Sequence, residues 1–349
     1  MNPVERAVRK ADAAQRRHTP AAFVVGVVKK YGDDHGGVLV ANLAFSAFIS
    51  LFPLLLILTT ALGLTAALNP AFRNDALKAV GDQFPVIGQS LTGNVHELQR
   101  SSVIGLIVGV AGLIWGATGL AQAGLFTMEQ VWNVPGPARP GYVQRLGRCV
   151  AFLGVLTVGL AVSTLLAGLV TYGQHALAFR VLAQALAVPA NVGLFLASFR
   201  VLTPKGIPAR DLVPGAVAAG IAWTVLQAFG TYIVHHYLHT ASAYGIFATV
   251  LVLLGWIYLG IQVMVYAAEV NVVLTRHLWP RTIVQPPLAE ADRASMALQA
   301  LQNQRREEQK VEVSFTDRPP GAPAPERTPR RPEEVAPPAR DDGKERRAG

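Results

Sequence analysis

The chain has 349 residues, 51% hydrophobic and only 15% charged, with a formal net charge of +9 and a mean hydropathy of +0.34. A soluble globular chain is about a quarter charged, so an ordinary soluble domain is excluded. The single cysteine, Cys149, excludes an intrachain disulfide framework and a cysteine-based zinc cluster.

Charges crowd both ends of the chain and are sparse from Val38 to Leu274. That is the pattern of a membrane domain with polar ends. Residues 1–37 read as an amphipathic segment. A helix over Val4–Tyr31 would put Val4, Val8 and Ala11, then Phe23, Val27 and Tyr31, on apolar faces, to lie on the cytoplasmic surface of the bilayer. The first apolar run, Val38 to about Leu68, is too long for the core of a signal peptide and lacks a cleavage site, so it reads as a retained span.

Runs long enough to cross a bilayer follow at Val38–Leu64, Val103–Phe126, Cys149–Tyr172, Leu182–Leu202, Leu212–Val234 and Phe247–Leu274. A crossing helix needs about 20 apolar residues. Pro189 and Asn191 interrupt the fourth run. The expected fold is therefore all-α, a polytopic membrane bundle of six spans over residues 38–281. Between the first two spans, Asn69–Ser102 is expected to form a long outer loop with short helices. Residues 282–349 are expected to form a charged cytoplasmic tail, helical at first, then Pro-rich and largely disordered from Pro319.

Lysine and arginine set the orientation. Arg6, Arg9, Lys10, Arg16, Arg17, Lys29 and Lys30 precede the first span. Arg139, Arg145 and Arg148 follow the second, and Arg200, Lys205 and Arg210 follow the fourth. The alternate loops are poorer, so both termini are expected in the cytoplasm. The positive charge thus reads as a topology signal. A nucleic-acid partner would need a basic face with reading or stacking residues, and none is evident.

Polar residues recur at helical spacing inside the spans. Asn42, Ser46 and Ser50 lie on the first. Trp115, Thr118, Gln122 and Glu129 lie on the second, Trp223, Gln227, Thr231 and His235 on the fifth, and Tyr258, Gln262, Tyr266 and Glu269 on the sixth, with Asn271 beyond. Residues three or four apart share a face, so these stripes are expected to turn away from lipid. They serve either as hydrogen-bonding contacts between helices or as the lining of a polar path. Sequence leaves both open. Glu269 follows Phe247 by more residues than the hydrocarbon needs, so it is expected near the cytoplasmic edge, paired with an arginine or capping a neighbouring helix.

His235 and His239 have the spacing of a metal pair, with His236 beside them, yet no nearby carboxylate completes a zinc set. They read as interface histidines. Ser46 and Ser50 have no histidine near them in sequence to form a hydrolase triad. No metal site, cofactor or catalytic residue is assigned.

Four stretches carry a family resemblance. They are ANLAFSAFISLFPLLLILTTALGL (Ala41–Leu64), WGATGLAQAGLFTMEQVWNV (Trp115–Val134), FRVLTPKGIPARDLVPGAVAAGIAW (Phe199–Trp223) and SAYGIFATVLVLLGWIYLGIQVMVYAAEVN (Ser242–Asn271). In their order they resemble the YihY/virulence factor BrkB family of bacterial inner-membrane proteins. Two departures stand out. Glu129 occupies a position where an Asn-type residue is expected, and Ala267–Ala268–Glu269–Val270–Asn271 replaces a Gly–Ala–Glu–Leu–Asn-like motif.

The resemblance implies six helical spans with cytoplasmic termini and supplies no catalytic residues. Members were once labelled ribonuclease BN, a label regarded as mistaken. The expectation is a non-enzymatic, multi-pass inner-membrane protein that moves a lipid-like or other small substrate in envelope maintenance. Its partners would be the bilayer and that substrate. The alternative is a non-transporting scaffold for envelope assembly.

Overall fold

The computed structural model describes residues 3–66, 103–172, 177–237, 245–285 and 288–315. Within them the regular structure is helical, with no strand. The chain divides into a compact unit, Met1–Val313, and a second unit, Ser314–Gly349. The expected outer-loop helices, His239 and the Pro-rich tail lie outside the described residues.

Two short helices open the chain, α1 (Pro3–Arg17) and α2 (Thr19–Asp33). The single amphipathic helix expected over Val4–Tyr31 is thus broken at His18. Pro20 explains the break. Proline lacks an N–H and disfavours helix in the residue before it, so it suits a helix start and not an interior. The apolar face of α2 also differs from expectation, because it packs on protein. Val27 is buried in the core, Phe23 meets Trp279 edge to face, and Tyr31 stacks on Tyr266 with ring centroids 4.1 Å apart.

α3 (Gly36–Ala66) leaves α2 at a bend of 66°. His35 takes the turn at φ 56. Gly36 follows because a Cβ there would run into the Tyr31 ring. Next come α4 (Val103–Val131), α5 (Tyr142–Tyr172), α6 (Leu177–Leu202), α7 (Val213–Tyr237), α8 (Gly245–Thr275) and α9 (Glu290–Gln302). Each of the six apolar runs falls on one of the helices α3 to α8. By length and composition, α6, α7 and α8 are each able to cross a membrane among the described residues, and the bent α2–α3 pair makes up to four.

α8 is the hub, touching α2, α3, α4 and α7, while α5 packs with α6 and α6 with α7. The buried core includes Val40, Leu125, Met128, Phe199, Leu202, Leu212, Val265, Val272 and Leu278. These residues cluster at the bundle end where α2 meets α8, called here the capped end. Elsewhere, large apolar side chains face outward, among them Phe45, Val158, Val225, Phe229 and Leu251. Apolar outer faces of this extent suit a hydrocarbon surround.

Two helix ends at the capped end are closed by non-glycine residues in left-handed conformation. On α4, Asn133 adopts φ 49, and the Val134 N–H donates to the Glu129 carbonyl at 2.9 Å. On α8, His277 adopts φ 52, and the Leu278 N–H donates to the Val273 carbonyl at 3.1 Å. Both have the six-to-one bond of a Schellman closure, which satisfies carbonyls the helix leaves free.

Candidate functional site

The closure of α8 brings its last turns against α2 and the start of α7. Asn271 is buried, and its side-chain oxygen accepts the Gly215 N–H at 2.6 Å. That N–H belongs to the first turn of α7, where helix donors have no partner within the helix. The Pro214–Gly215 step thereby gains a reason. Proline fits a helix start, and a Cβ on Gly215 would collide with the Ala267 carbonyl and the Asn271 amide. Capping of a neighbouring helix thus falls to Asn271, not to Glu269.

Glu269 is fully buried, and its partner is a lysine rather than an arginine. Lys30 Nζ lies 3.6 Å from Glu269 Oε2, pairs closely with Asp34, and donates to the Val131 carbonyl at 3.0 Å. That carbonyl closes α4, where a cation is favoured. One ammonium therefore serves two carboxylates and a helix end. Asp34 has further donors in Asn133, at 3.1 Å, and Gln299, at 3.5 Å. Glu269 lies beside both Lys30 and the Asp34 carboxyl, and its contact to Lys30 is longer than a normal hydrogen bond. The rest of its stripe faces α2 as well, with Tyr266 stacked on Tyr31 and Tyr258 and Gln262 beside the same ring.

A second buried network holds the segment after α8. Arg281 is 1% exposed. Its Nε donates to Asp292 at 2.8 Å. Its Nη1 lies 2.6 Å from Asp33, an ion pair outside hydrogen-bond angles. Asp292 also accepts the Thr282 hydroxyl at 2.6 Å and the Thr282 N–H at 3.0 Å. Its bond from the Ala289 N–H, 3.2 Å, is half of a capping box, since Ala289 offers no side-chain acceptor. Lys29 adds a cation 3.3 Å away. Burial alone would raise the Asp292 carboxyl, but the Thr282 bonds and the Arg281 guanidinium outweigh it and hold it down at about 2. Asp12, which accepts the Ile283 N–H at 2.9 Å, is also held below the usual carboxylate range. Burial opposes that shift, and the Ile283, Arg16 and Gln15 bonds drive it.

Glu129 is the third buried carboxylate. Arg145 Nη2 lies 3.7 Å away and Arg139 Nε 3.8 Å away, and neither Glu129 oxygen has a hydrogen-bond partner. Just beyond it, Asp33, Asp34, His35, Gln130, Arg139, Gln299, Gln302 and Asn303 line a polar cavity of about 320 Å³.

The hydroxyl stripes behave differently. Ser46 donates to the Asn42 carbonyl at 3.0 Å, Ser50 to Ala47 at 2.7 Å, and Thr118 to Ile114 at 2.7 Å. Each is satisfied within its own helix. Asn42 and Gln122 are exposed, contrary to the expectation that their stripes turn inward. Gln227 is half-buried on α7, and the side chain of Thr231 lies outside the described residues, as do those of His235 and His236. Of the sequence-derived set, Glu129, Glu269 and Asn271 join the charged and capping networks of the capped end.

Lys30, Asp34, Arg281 and Asp292 went unremarked as site residues in sequence. Lys29/Asp33 and Lys30/Asp34 are each four apart, the spacing of a helical ion pair, and that signal marks the segment as structural rather than a free basic surface.

The profile of the family described as virulence factor BrkB matches residues 27–290. The ribonuclease-like protein YfkH of Bacillus subtilis (strain 168) is 23% identical over 265 residues, covering 72% of this chain and 95% of that protein. A UPF0761 membrane protein of Pseudoalteromonas atlantica (strain T6c / ATCC BAA-1087) is 24% identical over 239 residues, 67% of this chain and 79% of that protein. No solved structure matches the chain.

Proposed function

The chain belongs to the virulence factor BrkB family, and from that membership we propose a membrane protein that moves a lipid-like or other small substrate across the bacterial inner membrane. In this reading helices α3 to α8 are six spans, and both termini lie in the cytoplasm. The support for that orientation is the lysine and arginine count, highest before α3 and in the segments that follow α4 and α6. The capped end is then cytoplasmic.

One observation carries the reading. Glu269 and Glu129 are buried carboxylates held only by long ion pairs, 3.6 Å to Lys30 for the first and 3.7 and 3.8 Å to Arg145 and Arg139 for the second. In a static scaffold such groups cost stability without return, because buried charges need full pairing. A group that exchanges partners during a cycle has reason to keep spare acceptor capacity. Glu269 also ends the line of Tyr258, Gln262 and Tyr266 along α8, the face that packs on Tyr31 of α2.

A specific observation favours the scaffold alternative. Asn191 donates to Thr224 at 3.2 Å between α6 and α7, and the stripe hydroxyls of α3 and α4 are satisfied. The experiment that separates the two is reconstitution of the full chain in liposomes, with lipid scrambling and solute flux measured against protein-free vesicles. Flux supports transport. Intact, folded protein with no flux for any lipid or solute tested favours the scaffold.

The proposal includes no enzymatic step, despite the ribonuclease-like name of the Bacillus relative. Arg145, Lys30 and Arg281 spend their charge on carboxylates and form no phosphate-reading face. Metal-dependent cleavage of RNA by the purified full chain would overturn this part.

A further inference from the structure

The pair α5–α6 carries a groove of about 540 Å³ that the charged networks do not touch. Gly154, Val158 and Gly159 of α5 and Gly193, Leu194 and Ala197 of α6 line it. The two helices meet where Leu194 lies on Gly159. Beside that contact the groove is open, because a Cβ on Gly154 or Gly193 would meet nothing within 4 Å. The volume lies within the range of small-ligand sites, about 300–1,000 Å³. Val150 and Val158 beside it face outward at 63% exposure each, so the groove opens on an apolar outer surface.

Its two ends differ. α5 and α6 run antiparallel, and at one end each helix ends the groove with an arginine. Arg148 stands one turn before Ala151, and Arg200 one turn after Ala197. Arg148 feels the attraction of Glu129 more strongly than the repulsion of Arg200. Among the described residues no ion pair holds Arg148. Arg200 gives Nη1 to the Ile207 carbonyl at 2.9 Å and is otherwise exposed. Two cations at the same end of the groove are complementary to an anion, and arginine matches phosphate oxygens with paired donors.

We propose that this groove binds one anionic glycerophospholipid, with an acyl chain along Gly154–Gly193 and the headgroup phosphate on Arg148 and Arg200. Basic pockets between membrane helices on the cytoplasmic side suit such headgroups. The inference rests on the membrane reading above and names the lipid class within it.

The test is native mass spectrometry of the full chain after reconstitution with equal phosphatidylglycerol and phosphatidylcholine. Wild type is expected to retain one phosphatidylglycerol with about tenfold preference, the effect of roughly one charge-assisted contact. Gly154→Leu with Gly193→Leu fills the open space and lowers retention about tenfold, by the loss of chain burial. Arg148→Gln with Arg200→Gln removes the preference for the anionic lipid while some lipid remains. Three outcomes would overturn the proposal: equal retention of both lipids by wild type, undiminished phosphatidylglycerol on the filled-groove protein, or a wild-type dimer that the filled-groove protein loses, which would assign the groove to a second chain.

Flux separates the two readings. Selective lipid retention without any flux leaves the site standing and removes transport. Flux without selective retention does the reverse.

Discussion

The two kinds of polar residue in this bundle sit in different physical situations. At the capped end, Lys30, Glu269, Arg281 and Asp292 are each at most 1% exposed, and each has a charged partner far away in sequence, Lys30 with Glu269, Arg281 with Asp33 and Asp292 with Lys29. Along α3 and α4, Ser46, Ser50 and Thr118 bond to carbonyls three or four residues back on their own helices. The first arrangement locks α2, α8 and α9 together. The second leaves each helix self-sufficient. Periodic polarity along a span is therefore weak grounds for a path, whereas a buried charge with spare acceptors is strong grounds for a site.

Breaking the capped end tests this most severely. Lys30→Met leaves Asp34 and Glu269 buried without their cation, and loss of one partner from a buried pair costs about 3–5 kcal/mol. Thermal unfolding of the purified protein in detergent would read it as a large fall in midpoint. A fall no larger than that of a surface lysine variant would mean the network does not hold the helices.

Asp292→Asn is next, at about 2 kcal/mol, because the shift from its ordinary 3.8 to about 2 measures what the charged form gains on folding. A depressed carboxyl stabilises fully above its unfolded value and loses that contribution as pH falls through the folded one. Wild type should therefore lose stability between about pH 4 and pH 2, and Asp292→Asn should lose less over that window. Unfolding midpoints across the window check both. An unchanged pH slope in the variant would contradict the assignment.

Asn271→Ala removes the cap on Gly215 and is expected to cost about 1 kcal/mol, the usual loss for a helix cap. Its effect should be confined to the α7 start, and hydrogen exchange at Gly215 and its neighbours would detect it. Smallest of all, Ser46→Ala with Thr118→Ala should move stability by less than about 0.5 kcal/mol, since each removes a bond that bends its own helix more than it joins two. A larger loss would mean those hydroxyls bind across helices, and the comparison would fail.

The sequence carried the helical core well, because runs from Val38 to Leu274 long enough to cross hydrocarbon admit few alternatives to helix. It also put Glu269 near a helix end. The break at His18 was less legible, since the amphipathic pattern continues on both sides of it while Pro20 interrupts the backbone. The partner of Glu269 was missed for a different reason. In sequence Lys30 is indistinguishable from the other basic residues that signal orientation, and only folding brings α2 onto α8. The stripes misled because period-four serine and threonine residues look the same whether they face a neighbour or their own preceding turn. Asp292 stood in a segment read as the start of a solvated tail, yet its place in the first turn of α9 is where an acidic side chain is favoured.

The most direct test of the account compares wild type with Glu269→Gln in liposomes at equal, folded protein. The glutamine keeps the shape of the side chain, and Lys30 retains Asp34, so the unfolding midpoint should stay close to that of wild type. If Glu269 exchanges partners during transport, lipid scrambling or solute flux falls at least about tenfold, a loss of roughly 1.4 kcal/mol of effective stabilisation in the cycle. Wild-type flux in the variant, at an unchanged midpoint, would contradict that role and leave Glu269 as a structural ion-pair partner alone.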